Sequence, residues 1–235
     1  MLHLLDFHAT RPNRGVPALL AVLGAHGPTR RWDVRGAAEL PPHEGTWVLS
    51  GGPGSPFGDP GEELGWRPPV LEALRERVAR DLPTLAICYG FELLGDAMRA
   101  EVRRLERPRL GGYRYRPGLA APSDPLGAHL PDGAGYEDRA WGVFGGPGEV
   151  LAWGAEGDVV AVRYAPHVWG VIFHPEATTA DLARLLADPD GRRLVEGRNG
   201  AAAARPMESL DLGAAGRTLR RFLGHCGHGP GGGPS

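Results

Sequence analysis

Apolar residues fall in short blocks along the first hundred positions, and each block predicts an element. Leu2 to Phe7 reads as a strand, Val16 to Leu23 as a short helix, Arg31 to Val34 as a second strand and Gly45 to Ser50 as a third. Pro68 to Asp81 carries Val70, Leu71, Leu74 and Val78 on one helical face, with proline near its start. Thr84 to Ile87 is a short apolar run of strand length, and a helical pattern begins at once after it, with Phe91, Leu94, Ala97 and Met98 on one face. Strands alternating with helices predict a parallel sheet covered on both faces.

The pattern then changes. Val102 to Tyr115 carries many arginines and two adjacent glycines. Val143-Phe144, Val150 to Trp153, Val159 to Tyr164 and Val168 to Phe173 are short runs broken by glycine and charge, which predict an antiparallel β section. Ala180 to Leu186 and Leu210 to Leu223 have helical spacing. The Gly- and Pro-rich end, Gly224 to Ser235, predicts a disordered tail. The chain therefore divides into one domain over 1–224 and a tail over 225–235. His225, Cys226 and His228 in the tail match no closed zinc spacing, so no metal and no cofactor is expected.

Composition narrows the classes. A net charge of −2 leaves no footprint for nucleic acid or an anionic membrane. No apolar run approaches a bilayer span, and the N-terminus lacks a basic start and a cleavage site. Two cysteines, Cys88 and Cys226, make no disulfide framework. The expected compartment is the cytoplasm. All 26 basic side chains are arginine, and glutamine is absent. A Schiff-base lysine and a lysine-dependent phosphate loop are thereby excluded.

Three stretches bear chemistry. Cys88 stands between a strand and a helix, with Ala86 and Gly90 two positions away on each side. Only small neighbours fit around a sharp turn that lifts a reactive side chain above a sheet edge, and a helix N-terminus favours the thiolate. A buried strand-end cysteine also fits this stretch taken alone. His174-Pro175-Glu176 follows the run Val168 to Phe173. On an extended chain, two-residue spacing sets an imidazole and a carboxylate side by side. Ser50-Gly51-Gly52-Pro53-Gly54 follows the third strand, where a glycine-rich turn exposes backbone N–H groups to a developing negative charge.

Together the three stretches, spanning roughly residues 44 to 180, resemble the class I (triad) glutamine amidotransferase family, whose members carry a Ser-Gly-Gly-Pro-Gly loop, a Cys-x-Gly-x-Gln elbow and a His-Pro-Glu strand end in this order. The resemblance implies an α/β, flavodoxin-like three-layer fold with an open, mostly parallel sheet and a small antiparallel section. It implies Cys88 as nucleophile, His174 as general base and acid, Glu176 as orienter, and the N–H groups of Gly52 and Tyr89 as an oxyanion hole. Gly51, Pro53, Glu92, Arg139, Ala140 and Trp141 would bind a γ-glutamyl substrate. The implied reaction releases ammonia from a γ-carboxamide through a γ-glutamyl thioester, for a separate synthetase or acceptor enzyme. With no synthetase domain in the chain, a hydrolase of γ-glutamyl amides or peptides is an alternative, and a catalytically silent regulatory or binding protein is another.

Two positions depart from the family. Glu92 stands where the elbow ends in glutamine, and Asp138-Arg139-Ala140-Trp141-Gly142 stands where stand-alone relatives read Ser/Asp-Arg-x-x-Gln. Avoidance of glutamine across a proteome explains both. At Glu92 a changed substrate is a second explanation, through attraction of an amine or repulsion of a carboxylate. Arg99 to Arg116 reads as a solvated face, with a docking face as the alternative.

Overall fold

The computed structural model describes residues 1–8, 15–36, 39–59, 64–130, 134–200 and 207–229. The expected alternation holds through the first half: β1 (Leu2–Asp6), α1 (Gly15–Gly24), β2 (Thr29–Asp33), β3 (Thr46–Leu49), α2 (Arg67–Ala79), β4 (Thr84–Ile87) and α3 (Tyr89–Ala97). The second half holds β5 (Glu101–Arg114), β6 (Arg116–Pro117), β7 (Ala134–Phe144), β8 (Glu149–Trp153), β9 (Val159–Ala165), β10 (Val168–Val171), α4 (Thr179–Ala187), α5 (Pro189–Asn199) and α6 (Gly213–His225).

One mixed sheet runs in the order β2-β1-β3-β4-β10-β9-β7-β5, with β8 beside β9 and β6 beside β8. The pairs β1/β2, β1/β3, β3/β4 and β4/β10 are parallel. The pairs from β9 outward are antiparallel. This is the expected flavodoxin-like α/β architecture, a doubly wound sheet with an antiparallel extension. β10 belongs to both sections. It was expected wholly within the antiparallel part, yet Val168 to Val171 pair in parallel register with Thr84 to Ile87 on one side.

β1, β3, β4 and β10 are buried along their whole length, and so β3, β4 and β10 are almost wholly apolar, whereas β2 on the parallel edge is polar and partly exposed. Gly170 lets α3 lie directly on β10, since a Cβ there would come within 2.1 Å of the Phe91 ring. Arg77, fully buried in α2, donates to the carbonyls of His43, Gly45 and Pro83 and to Thr84 Oγ1, fixing where β3 and β4 begin.

Three expectations are corrected. Arg99 to Arg116, read as a solvated face, holds the long edge strand β5 (Glu101–Arg114), and Arg109 within it is buried, so the stretch is not uniformly solvated. Pro189–Asn199 is a helix that the hydropathy pattern did not announce. The disordered tail does not begin at residue 225. α6 runs through His225, and His228 bonds through its carbonyl to His26 Nδ1 and through Nε2 to Thr46 Oγ1. Residues 230–235 lie outside the described residues.

Candidate active site

Cys88 sits where β4 meets α3, at φ 50° and ψ −108°. A non-glycine residue holds such a backbone only when its surroundings over-determine it. Here the Cys88 N–H donates to the Val171 carbonyl at 2.8 Å, and the Gly90 N–H donates to the Ser50 carbonyl at 3.1 Å. Gly90 is required by space. A Cβ there would meet Leu49 Cβ at 2.6 Å and the carbonyl oxygens of Leu49 and Ser50 at 3.1 Å. The elbow inferred from small neighbours is thus a strained turn clamped between β3 and β10.

His174 reaches Cys88 from the segment after β10. Its N–H donates to the Tyr136 carbonyl at 2.8 Å, and its ring meets that of Tyr136 edge-on at 6.1 Å. His174 Nδ1 lies 2.8 Å from Glu176 Oε1. The expected cause of this pairing was an extended chain, but β10 ends at Val171, and the Ala177 N–H donates to the His174 carbonyl at 3.1 Å. A turn brings the two side chains together. The imidazole also acts electrostatically on the Cys88 thiol, whose S–H points at the Asp138 carbonyl at 4.0 Å.

The electrostatics follow from that line of groups. Burial pushes the Cys88 thiol up, His174 pulls it down, and Glu92 when ionised pushes it up again. Burial alone would lower His174, but Glu176 and then Cys88 hold it well above the ordinary imidazole value. The helix N-terminus at Tyr89 adds a positive end of a dipole beside the sulfur.

A cleft of about 1210 Å³ opens over this line. Cys88, His174 and Glu176 line it, as do Gly52, Pro53, Glu92, Arg139, Ala140 and Trp141. Gly51 and Tyr89 stand behind the wall. A Cβ on Gly51 would lie 2.8 Å from His174 Cε1, so this glycine makes room for the imidazole. The Tyr89 ring is buried against Phe7, with centroids 5.6 Å apart. A Cβ on Gly52 would come within 2.9 Å of Phe7 Cβ and 3.1 Å of the Tyr89 ring, so Gly52 lets that loop close on the elbow.

Arg139 is on the wall, but its guanidinium is engaged from behind. It donates to Glu137 Oε2 at 2.7 Å, to the Trp141 carbonyl at 2.9 Å and to Asp158. Arg109 joins Asp158 at 3.1 and 3.2 Å and Glu137 at 3.4 Å. Burial alone would raise Asp158, yet Arg139 and Arg109 hold its carboxyl below the usual range. Sequence reasoning missed this cluster. Its signal was alternation of charge inside a strand, Glu137 and Arg139 sharing one face. It also missed His8, which lines the cleft and is held by Asp6 Oδ1 at 2.9 Å.

Among the described residues no group of side chains is arranged to hold a metal ion, and no helix is long and apolar enough to cross a membrane.

Comparison with known proteins bears on the family and the fold. Residues 28–116 match the sequence model of the glutamine amidotransferase class-I family. An aminodeoxychorismate synthase from Streptomyces griseus is 31% identical over 153 residues, covering 60% of this chain but 19% of that protein. The chain thus spans about a fifth of that relative. Two solved structures share the fold. A glutamine amidotransferase from Methylobacillus flagellatus has a TM-score of 0.69 at 19% identity, covering 100% of this chain and 97% of the other. A glutamine amidotransferase from Thermotoga maritima has a TM-score of 0.68 at 15% identity, covering 94% and 95%.

Proposed function

From the class I glutamine amidotransferase match over residues 28–116, and a fold shared with glutamine amidotransferases across the chain, we propose that this protein is a cysteine amidohydrolase. It releases ammonia or an amine from a γ-glutamyl amide. The observation that supports this most is the convergence of Cys88, His174 and Glu176 on one cleft, with the imidazole hydrogen-bonded to Glu176 and electrostatically coupled to the Cys88 thiol.

In the reading proposed, His174 takes the thiol proton and the Cys88 sulfur attacks the γ-carbonyl carbon. The negative charge on the carbonyl oxygen is met by backbone N–H groups of Gly52 and Tyr89 at the glycine loop and helix start. His174 gives its proton to the departing nitrogen, the C–N bond breaks, and a γ-glutamyl thioester remains. A water, deprotonated by His174, then attacks the thioester. Glutamate leaves and the thiol is restored. Glu176 keeps the imidazole in one tautomer and stabilises its protonated form.

The partial match to a protein named as an aminodeoxychorismate synthase supports a synthase as the acceptor of that ammonia. A second reading, hydrolysis of the γ-glutamyl amide of a small amine, is favoured by Glu92 in the wall of the cleft. Glutamate release from glutamine and from a panel of γ-glutamyl amines, measured for the wild type and Cys88→Ala with and without candidate synthetases, tests the proposal. Turnover abolished in Cys88→Ala is expected; turnover retained by that variant would overturn it.

A further inference from the structure

Glu92 follows the nucleophile by one helical turn. Its N–H donates to the Cys88 carbonyl at 2.9 Å, so the two side chains share a face of α3. The side chain lines the cleft and is 3% exposed. A carboxylate so buried is ordinarily satisfied by hydrogen bonds or an ion pair. Among the described residues no hydrogen bond or ion pair reaches its oxygens, which face the cleft and are not sealed from it.

The groups facing it come from three elements. Cys88 lies at the start of its own helix, Arg139 comes from β7, and His174 comes from the turn after β10. Both cations are hydrogen-bonded elsewhere: Arg139 to Glu137, Asp158 and the Trp141 carbonyl, His174 to Glu176. Burial lifts the Glu92 carboxyl to about 7, against the pull of Arg139 and then His174. Its ionised form, in turn, pushes the neighbouring thiol up. When ionised, Glu92 therefore sets a negative charge without a hydrogen-bond partner beside the sulfur that must itself become negative.

We infer that Glu92 determines specificity for the reaction proposed above, on which this inference rests, by accepting a primary ammonium carried by the γ-glutamyl substrate. An ammonium has three donors and a full charge. It satisfies the buried carboxylate and removes the repulsion that opposes a thiolate at Cys88, so a cationic substrate assists its own attack. Two sources offer this chemistry: the α-ammonium of the glutamyl half, and a second amine on the leaving group, as in a γ-glutamyl diaminoalkane.

The first test needs no turnover. Rates of Cys88 modification at pH 8 by cationic 2-aminoethyl methanethiosulfonate and by neutral methyl methanethiosulfonate are compared for the wild type and Glu92→Gln. Peptide mass spectrometry scores Cys88 apart from Cys226, whose thiol is pushed up to about 12 by burial and by Asp81. The wild type is expected to favour the cationic reagent, and Glu92→Gln to lower the cationic-to-neutral ratio by about fivefold or more. An unchanged ratio overturns the inference. In the second test, kcat/KM is measured for glutamine, N-acetylglutamine, a γ-glutamyl alkylamine and a γ-glutamyl diaminoalkane of equal length. A loss in Glu92→Gln confined to substrates with a free α-amino group assigns the α-ammonium; a loss confined to the diaminoalkane assigns the leaving group. Equal effects on charged and uncharged substrates overturn the inference. If the reagent ratio falls while no γ-glutamyl substrate is turned over, the cation site stands and the hydrolase reading fails.

Discussion

His174 Nδ1 lies 2.8 Å from Glu176 Oε1, and the His174–Ala177 turn makes that pairing. The carboxylate is 4% exposed, so its charge acts on the imidazole with little screening. Replacing it by the isosteric amide keeps the shape, removes the charge, and allows an N–H to face Nδ1. Glu176→Gln is expected to lower kcat by about 10² to 10⁴-fold with KM changed far less. Steady-state kinetics on the substrate with highest turnover checks this; a kcat near that of the wild type contradicts the role given to Glu176.

Two glycines separate folding from chemistry. A Cβ on Gly90 would strike Leu49 Cβ at 2.6 Å inside the core, while one on Gly51 would strike His174 Cε1 at 2.8 Å beside the cleft. Gly90→Ala is expected to cost about 1–3 kcal/mol of stability through overpacking. Gly51→Ala is expected to displace the imidazole, reducing activity at least about tenfold with a smaller loss of stability. Denaturant titration and kinetics on the two variants give the comparison; equal stability losses, or full activity in Gly51→Ala, would count against the assigned contacts.

Glu92 carries a pH signature in stability. Its folded carboxyl is raised to about 7, above the ordinary glutamate value, chiefly by burial. The protonated form is the one the fold tolerates, so its contribution is fully present below the unfolded value and is lost as pH rises through about 7. Glu92→Gln removes that loss. The variant is expected to gain stability over the wild type at pH 8 by about 2 kcal/mol more than it does at pH 5. Denaturant midpoints at the two pH values measure it, and the same difference at both would contradict the burial of an unpaired acid.

Asp158 stands fully buried between Arg139 and Arg109. Its removal leaves two guanidinium groups facing Glu137, with the balance of charge broken. Asp158→Ala is expected to destabilise the protein by about 3–5 kcal/mol, and to loosen the cleft wall at Arg139 and Trp141. Thermal and denaturant unfolding test the stability claim; a change below about 1 kcal/mol would show that the cluster is dispensable.

The parallel half of the sheet was legible because strands buried on both faces are written as continuous apolar runs, as in Thr84 to Ile87. The elbow and the His-Pro-Glu segment were legible because both are local in sequence. What escaped was set by distant partners. β5 carries exposed arginines on an edge, where half its side chains meet water and no alternation survives. α5 is polar over most of its length and is held by Val195 in a small cluster with Leu182 and Leu186 of α4. The dual role of β10 depends on strands far apart in the chain, which periodicity does not record. The Arg139 cluster needs Asp158 and Arg109 from two other segments, so the residue read as a substrate contact is anchored by groups that no local motif includes.

The central claim is that Cys88 forms a covalent γ-glutamyl intermediate. Acid-quenching the protein during turnover of its γ-glutamyl substrate, followed by mass spectrometry of the Cys88 peptide, tests this most directly. The account predicts a γ-glutamyl thioester on Cys88, absent from Cys88→Ala and from Cys226. Glutamate released with undiminished rate by Cys88→Ala, or an acyl group found on Cys226 alone, would contradict it.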